Sequence, residues 1–282
     1  MLLREVVEHA IEKLASAGIQ NPQVDVELLV GHVLKLSRGQ VQSALIADAR
    51  IDDENLKNLN DLFGRRYARE PLQHLTGVAY FRQLALEVGP GVFIPRPETE
   101  SVVQLAIDAL LADSSSEPIA VDLGTGSGAI ALAMHTEVAK AKVFAVEKSP
   151  EAFGYTANNF AKYPGAELRL GDLADSFNDL EGSVSVVVSN PPYIPAAMVP
   201  IDPEVHLFDP ALALYGGADG LDVIRIVSVT AKRLLREGGT LVIEHADSQS
   251  AQVSELLLAD GWRQVKAHKD LTDRYRSVSA IK

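Results

Sequence analysis

The stretch Val184–Ile194, VSVVVSNPPYI, decides how this chain folds. Its first half is rich in valine, a β-branched residue, and so predicts a strand, Val184–Ser189, inside a sheet. The two prolines that follow fix their φ angles and carry no N–H group, so the strand ends there. We therefore expect the tetrad Asn190–Tyr193 (NPPY) at an edge of that sheet.

The tetrad has the acceptors that a planar NH2 group needs. The side-chain oxygen of Asn190 and the main-chain oxygen of Pro191 can each accept a hydrogen bond from one N–H of the NH2 group. The ring of Tyr193 can stack on the same plane. We therefore expect Asn190, Pro191, Pro192 and Tyr193 to bind a substrate amide or exocyclic amine. The alternative is a turn in which Asn190 caps the strand end and Tyr193 packs against the core.

Strands alternate with helices on both sides of this stretch. The alternation predicts an α/β fold with a doubly wound, mostly parallel sheet of seven strands. The predicted strands are Ile119–Leu123, Val143–Glu147, Glu167–Leu170, Val184–Ser189, Gly239–Glu244, Gln264–Ala267 and Arg276–Ile281, with helices at 130–139, 151–162, 221–236 and 248–260.

A different pattern precedes the sheet. Apolar residues spaced three and four apart predict four helices, ending near Gly18, Ser37, Ala47 and Tyr67. Glycine and proline then punctuate two short alternating runs, 79–81 and 83–88, which predict a β-hairpin. The expected organisation is a small all-helical, substrate-recognising domain at 1–75, a β-hairpin linker at 76–97 and the α/β domain at 98–282.

Two groups of basic residues in this region each allow two interpretations. Arg65, Arg66 and Arg69 lie at the end of the fourth predicted helix. They either contact an acidic partner or complement the helix dipole. Arg96 lies between two prolines, where it either faces a cofactor carboxylate or is solvated.

A glycine-rich loop, Asp122–Gly128 (DLGTGSG), connects the first predicted strand of the sheet to a helix. Such a loop lets a nucleotide approach the backbone, and Glu147, at the end of the next strand, can accept both ribose hydroxyls. A dinucleotide is disfavoured because Asp122 would repel a pyrophosphate, whereas it suits a cationic sulfonium amino acid. Asp172 adds an acceptor for an adenine amino group. The loop therefore favours S-adenosylmethionine.

Composition narrows the class of partner. The net charge of −12 argues against extended binding to nucleic acid, which depends on clustered basic residues. The chain has no cysteine, which excludes disulfides and thiolate metal sites, and we expect no metal. No apolar run reaches the length of a membrane-spanning helix, and the N-terminus does not look like a signal peptide. We expect a cytoplasmic protein.

The motifs in this order resemble a known group of enzymes. Asp122–Gly128, Glu147, Asp172 and the tetrad resemble class I (Rossmann-like) methyltransferases that methylate planar nitrogen. The segment Phe93–Glu100 (FIPRPETE) and the helical N-terminal region resemble the peptide chain release factor glutamine methyltransferases, the PrmC/HemK family. The resemblance covers essentially the whole chain.

The resemblance implies methyl transfer from S-adenosylmethionine to the side-chain amide of the glutamine in the Gly-Gly-Gln loop of release factors. The implied catalytic residues are Asn190, Pro191 and Tyr193, and the implied cofactor-binding residues are Asp122, Gly124, Thr125, Gly126, Ser127, Gly128, Glu147, Asp172, Leu173 and Asn190. Two positions depart from the family pattern: Glu147 stands where Asp is frequent, and Leu173 where an aromatic residue is common. A monomer is expected.

The chemistry of an amide nitrogen suggests how the tetrad acts. Its lone pair is delocalised, so two acceptors that align the NH2 group and stabilise the charge it gains would carry the catalysis. No general base is assigned, and we expect Glu244 and His245 to be a buried pair rather than that base. The alternatives are an adenine-N6 methyltransferase on DNA or RNA, a nicotinamide oxidoreductase, and a non-enzymatic S-adenosylmethionine-dependent factor.

Overall fold

The computed structural model describes residues 1–282 and divides them into two units. The first comprises Met1–Val78 and Pro200–Phe208, and the second comprises Ala79–Val199 and Asp209–Lys282. Each has its own hydrophobic core. None of the helices is long and apolar enough to span a membrane.

The first unit is helical. It contains α1 (Leu3–Ser16), α2 (Pro22–Leu34), α3 (Arg38–Ile46), α4 (Asp53–Tyr67) and α5 (Leu72–Thr76). Local signals explain two of the helix starts: the Ser37 hydroxyl accepts from the Gln40 N–H, and the Asp52 carboxylate accepts from the Asn55 N–H. Leu14, Leu29 and Leu59 are fully buried where the helices meet. The four helices predicted from the apolar spacing are confirmed.

Of the two interpretations of the arginine cluster, contact with an acidic partner is disfavoured for Arg66 and Arg69 by ion pairs within the chain. The Arg66 side chain is only 6% exposed and forms ion pairs with Asp25, at 2.7 Å, and with Glu204, at 2.8 Å. Arg69 pairs with the same Glu204 at 3.1 Å. Both guanidinium groups are therefore occupied within the unit. Arg65 remains partly exposed beside Glu70.

The second unit is built on the predicted sheet. Its elements, with one helix of the first unit between them, are β1 (Val78–Phe81), β2 (Leu84–Glu87), α6 (Thr99–Ala112), β3 (Ile119–Leu123), α7 (Ala129–Glu137), β4 (Lys142–Glu147), α8 (Pro150–Lys162), β5 (Glu167–Leu170), β6 (Val184–Ser189), α9 (Pro203–Phe208, in the first unit), α10 (Ala211–Leu214), α11 (Asp222–Leu234), β7 (Leu235–Glu244), α12 (Ser250–Ala259), β8 (Arg263–Lys269) and β9 (Tyr275–Ile281).

The main sheet has seven strands in the order β5-β4-β3-β6-β7-β9-β8. Strands β3 to β7 are parallel to one another, and β9 is antiparallel to both of its neighbours. The six residues of β6 are all buried, as its valines predict. The prediction of an α/β fold with a mostly parallel, seven-stranded sheet is confirmed.

The region before the sheet differs in detail from the prediction. The hairpin strands are β1 and β2, and Phe81, Leu84 and Leu86 on them lie in the core formed with α6 and α7. Helix α5 precedes the hairpin and was not among the four predicted helices. Helices α5, α9 and α10 have four to six residues, which is too short for a helical period to be read from the sequence.

Candidate active site

The candidate site lies at one edge of the sheet. Because β3 to β7 are parallel, their carboxyl ends meet at this edge. Asp122 on β3 is in register with Val188 on β6, two residues before Asn190. Ser189, the last residue of β6, is in register with Ile243, which immediately precedes Glu244. The fold therefore brings the glycine loop, the tetrad and Glu244 to a common edge.

The glycine loop has a backbone that only glycine adopts readily. Gly124, Gly126 and Gly128 have φ angles of +78°, +57° and +88°. A Cβ atom on Gly128 would lie 2.9 Å from the ring of Phe160. The N–H groups of Gly124 and Thr125 both donate to the carbonyl oxygen of Val146 on β4, which fixes the loop to the neighbouring strand.

Asp122 lies fully buried at the base of this loop. One carboxylate oxygen, Oδ2, accepts from the Thr125 hydroxyl at 2.6 Å and from the Ala131 N–H at 3.2 Å. The other oxygen, Oδ1, is buried and has no hydrogen-bond partner in the chain. Burial raises the pKa of Asp122 to about 7, although the bonds from Thr125 and Ala131 act in the opposite direction. This carboxylate lacks the positive charge that would balance it.

The other two carboxylates of the loop region are held by main-chain N–H groups. Glu147 accepts from Gly126 at 2.8 Å and from Ser149 at 2.7 Å, one donor on each oxygen. Asp172 accepts from the Ala174 N–H at 3.0 Å and forms an ion pair with Lys148 at 2.8 Å. The hydrogen bond from Ala174, and then Lys148, lower the pKa of Asp172. Leu173 packs against the core beside it.

These groups fit S-adenosylmethionine. The unpartnered oxygen of Asp122 suits a cationic amino acid, and the Glu147 carboxylate has lone pairs left for two hydroxyl groups. Asp172 retains acceptor capacity beside the exposed Lys148. The positive-φ glycines leave the backbone open, and the side chains of Thr125 and Ser127 are buried instead of covering the loop.

In the tetrad, two hydrogen-bond acceptors are free, whereas the side-chain donor of Asn190 is already bonded within the chain. The side-chain nitrogen of Asn190, Nδ2, donates to the Thr99 hydroxyl at 3.4 Å, so Oδ1 is the free end of that amide. No group in the chain donates to the carbonyl oxygen of Pro191. Gln249 donates to the carbonyl oxygen of Tyr193 at 2.9 Å and so fixes the end of the tetrad. The two acceptors expected to hold an NH2 group are therefore both available.

Glu244 and His245 are both buried, as expected for a buried pair. The Tyr193 hydroxyl donates to Oε1 of Glu244 at 3.4 Å, and Oε2 of Glu244 has no partner. Burial raises the pKa of Glu244 to about 7 and lowers the pKa of His245. Burial, and then the charge of Glu244, raise the pKa of the Tyr193 hydroxyl, which therefore stays protonated.

Arg96 follows neither of its two interpretations. Its guanidinium forms an ion pair with the buried carboxylate of Asp209 at 2.5 Å and lies over the ring of Phe93, 5.1 Å from the centroid. It therefore ties the FIPRPETE segment to the chain that follows the tetrad. Neither alternative, a cofactor carboxylate or solvent, includes this partner, because Asp209 pairs with the guanidinium inside the chain.

Sequence reasoning missed three residues that contact the motifs. Thr99 was visible inside FIPRPETE but carried no assigned role, because a threonine at the start of a helix is ordinary. Gln249 and Lys148 had no signal at all, since a polar residue after a strand is common. Their partners, Tyr193 and Asp172, are far from Gln249 and Lys148 in sequence.

Comparison with known proteins covers nearly the whole chain. A family model described as "PrmC N-terminal domain" matches residues 5–77, and one described as "Methyltransferase domain" matches residues 114–278. The chain is 48% identical to "Release factor glutamine methyltransferase" of Streptomyces coelicolor, over 100% of this chain and 98% of that protein. It is 44% identical to the protein of the same name from Mycolicibacterium smegmatis, over 99% and 98%.

One relative has a different name. The chain is 35% identical to "4-amino-L-phenylalanine/4-methylamino-L-phenylalanine methyltransferase" of Streptomyces pristinaespiralis, over 96% of this chain and 92% of that protein. Among solved structures, "Methyltransferase from Pyrococcus furiosus" aligns with a TM-score of 0.50 at 20% identity, over 80% of this chain and 98% of that one. That alignment supports the fold alone.

Proposed function

The chain belongs to the release factor glutamine methyltransferase family, and we propose that it transfers a methyl group from S-adenosylmethionine to a release factor. The acceptor is the side-chain amide nitrogen of the glutamine in the Gly-Gly-Gln loop. The observation that carries the proposal is the pair of unused acceptors, Oδ1 of Asn190 and the carbonyl oxygen of Pro191. These two oxygens can accept the two hydrogen bonds that one planar NH2 group donates.

The chain's own residues supply orientation and electrostatics. When bound, S-adenosylmethionine provides an electrophilic methyl group on a sulfonium ion. Asn190 and Pro191 hold the substrate NH2 group in one orientation, and their negative oxygens stabilise the positive charge that its nitrogen gains. Tyr193, with Pro192 before it, packs on the amide plane. The surplus proton leaves after the transfer, so no base is required beforehand.

The cofactor is assigned to the glycine loop. Asp122 balances the cationic amino acid portion, Glu147 accepts the ribose hydroxyls, and Asp172 and Leu173 contact the adenine. Gly124, Thr125, Gly126, Ser127 and Gly128 form the backbone surface beside it. The unpartnered buried Oδ1 of Asp122 supports this assignment, because a buried carboxylate is stabilised by a nearby cation.

The helical residues 1–75 are assigned to recognition of the release factor, the hairpin residues 76–97 to the linker and residues 98–282 to catalysis. Arg66 and Arg69 do not take part in this recognition, because both form ion pairs within the chain. The names of the curated relatives favour release factors over adenine in DNA or RNA as the substrate. We propose that the protein is a cytoplasmic monomer that does not bind nucleic acid directly.

The test is transfer of labelled methyl from S-adenosylmethionine to four acceptors: a purified release factor, the same factor with its Gly-Gly-Gln glutamine replaced by alanine, duplex DNA, and 4-amino-L-phenylalanine. We expect label on the unaltered factor alone. Label on DNA would support the adenine alternative. Label on the free amino acid would instead place the chain with the Streptomyces pristinaespiralis relative in activity.

A further inference from the structure

An amide that must act as an acceptor has an orientation problem. The oxygen and the NH2 group of the Asn190 side-chain amide have nearly the same shape. Only the oxygen can accept a hydrogen bond from the N–H group of a substrate amide. If the group rotated by half a turn, its own NH2 would face the substrate NH2, and two donors would meet. Something in the protein has to choose the orientation.

The structure shows what Asn190 contacts on its other side. Its Nδ2 donates to Oγ1 of Thr99, which is 3% exposed at the start of α6. A hydroxyl has one hydrogen, so Thr99 accepts from Asn190 only if that hydrogen points elsewhere. The orientation of Asn190 therefore depends on where the Thr99 hydroxyl donates.

Glu244 offers an acceptor for that hydrogen, because its buried oxygen Oε2 has no other hydrogen-bond partner. The Thr99 hydroxyl interacts with the Glu244 carboxylate and favours its ionised form, against the effect of burial. Glu244 is 1% exposed, and it also accepts from the hydroxyl of Tyr193, at the other end of the tetrad. An ionised carboxylate cannot donate, so it attracts the hydrogen of every hydroxyl that faces it.

We propose that Glu244 and Thr99 are positioning residues, which together orient the Asn190 amide so that its oxygen faces the substrate. Glu244 fixes the hydrogen of Thr99, the oxygen of Thr99 then accepts Nδ2 of Asn190, and Oδ1 is left for the substrate. The same carboxylate holds Tyr193. This inference rests on the proposed function, because it deepens the role given to Asn190.

Burial of the Glu244 carboxylate lowers the stability of the folded protein. Its role in orienting the Thr99 hydroxyl explains why an amide or a hydroxyl would not replace it. Glutamine can donate as well as accept, so it would allow the Thr99 hydrogen to turn towards Asn190 and reverse the chain of bonds. Protonated Glu244 has the same defect. The groups that surround it are Glu98 and Thr99 on or beside α6, Tyr193 after β6, the adjacent His245, and Arg276 on β9.

The balance of these groups sets the pH at which the orientation is lost. Burial and the charge of Glu98 raise the pKa of Glu244 to about 7, while Thr99, Arg276 and Tyr193 act in the opposite direction. The carboxylate is therefore ionised above that pH and protonated below it. We expect kcat for methyl transfer to fall as the pH decreases through about 7, and we expect Glu244→Gln to have a low kcat without this acid limb.

The decisive variants are at Thr99. Thr99→Val removes the hydroxyl at constant shape and is expected to lower kcat by about 10- to 100-fold with little change in KM or in S-adenosylmethionine affinity, because only alignment is lost. Thr99→Ser restores the hydroxyl and is expected to restore most of kcat. Thr230→Val makes the same change at another buried threonine, on α11, and serves as the control for altered stability.

Two kinetic outcomes overturn the proposal: a wild-type kcat in Thr99→Val, or a Thr99→Ser variant as slow as Thr99→Val. If Glu244→Gln does not fold, the two Thr99 variants still decide. The NMR signals of the Asn190 side-chain NH2 give a readout without any substrate. They are expected to shift and to exchange faster with water in Thr99→Val, and unchanged signals would overturn the inference. If no release factor is methylated by the wild type, the proposed function fails and this NMR comparison still tests the orientation.

Discussion

The glycine loop and the tetrad lie at the same edge of the sheet, but their acceptor groups are held in place in different ways. In the loop region, Glu147 and Asp172 accept from main-chain N–H groups close in sequence. In the tetrad, Asn190 and Pro191 keep their acceptors free, and the donor of Asn190 is taken up by Thr99. The loop region is fixed by its own backbone, whereas the tetrad is oriented by distant side chains.

This difference matches the two ligands that we assign. A cofactor that offers hydroxyls and a cation can be held by carboxylates that are already fixed by the backbone. An amide that is to be methylated must meet hydrogen-bond acceptors without a competing donor. The NH2 donor of Asn190 is bonded to Thr99 and therefore does not compete. The comparison therefore predicts that changes in the loop region affect affinity or stability, and that changes in the tetrad affect the rate.

The largest effect is expected for Asn190→Ala. Loss of its oxygen removes one of two acceptors that align the substrate and stabilise its developing charge, which lowers kcat by about 10²- to 10³-fold. The measurement is labelled methyl transfer to a release factor. Asn158→Ala removes a similar amide that bonds Glu87 at the surface and is the matched control. A kcat equal to that of the control would remove the distinction between the two regions.

Gly128→Ala tests whether the backbone defines the loop. Gly128 has a φ of +88° at the start of α7, and a Cβ would meet the Phe160 ring. We expect the free energy of unfolding to fall by about 1–3 kcal/mol, measured by urea titration. Gly64→Ala, in α4 with open space around it, is expected to raise it by about 0.5–1 kcal/mol. Equal effects at both sites would contradict the assigned role of the φ angle.

The sequence predicted the loop region well because its signals are local. Asp122, the three glycines and Glu147 lie at the ends of strands that the apolar pattern defines, and the positive φ angles follow from glycine itself. The strand β6 was equally visible, because four of its six residues are valine. Where a residue's conformation is set by its own neighbours in sequence, the pattern is enough to predict it.

The sequence predicted the surroundings of the tetrad poorly because its contacts are distant. Thr99 bonds Asn190 across 91 positions, and Gln249 bonds Tyr193 across 56. The interpretations of Arg96 and Arg66 did not include Asp209 and Glu204, the carboxylates that pair with them inside the chain. A single sequence shows that a charge is present but not which opposite charge the fold brings to it.

Asp122→Asn is expected to have two opposite effects. In the free protein, burial raises the pKa of Asp122 from 3.8 to about 7. Ionisation of this carboxylate therefore lowers the free energy of unfolding. The loss is complete above this pH range and absent below it. Wild-type stability attributable to this group therefore falls as the pH rises between these values. Asp122→Asn removes this dependence, so the free variant is expected to be more stable than the wild type at pH above about 7, and equal to it near the lower value.

The same substitution is expected to weaken binding of S-adenosylmethionine by about tenfold, because the balancing negative charge is lost. Calorimetry of binding and urea titrations at several pH values test the two effects. Asp61→Asn removes one exposed carboxylate from the helical unit and controls for net charge. An unchanged affinity would exclude Asp122 as the partner of the cation. Glu244 also has a raised pKa and remains in both proteins, so only the difference between them reports on Asp122.

The smallest effect is expected for Lys148→Met, which tests whether the backbone alone holds the loop carboxylates. Lys148 pairs with Asp172, but the side chains of these residues are 62% and 42% exposed. Exposed ion pairs contribute about 0–1 kcal/mol, and Asp172 keeps its bond from the Ala174 N–H. We expect the affinity for S-adenosylmethionine to change by less than about twofold. A large loss would show that a distant side chain orients this acceptor as well, and the contrast with the tetrad would then disappear.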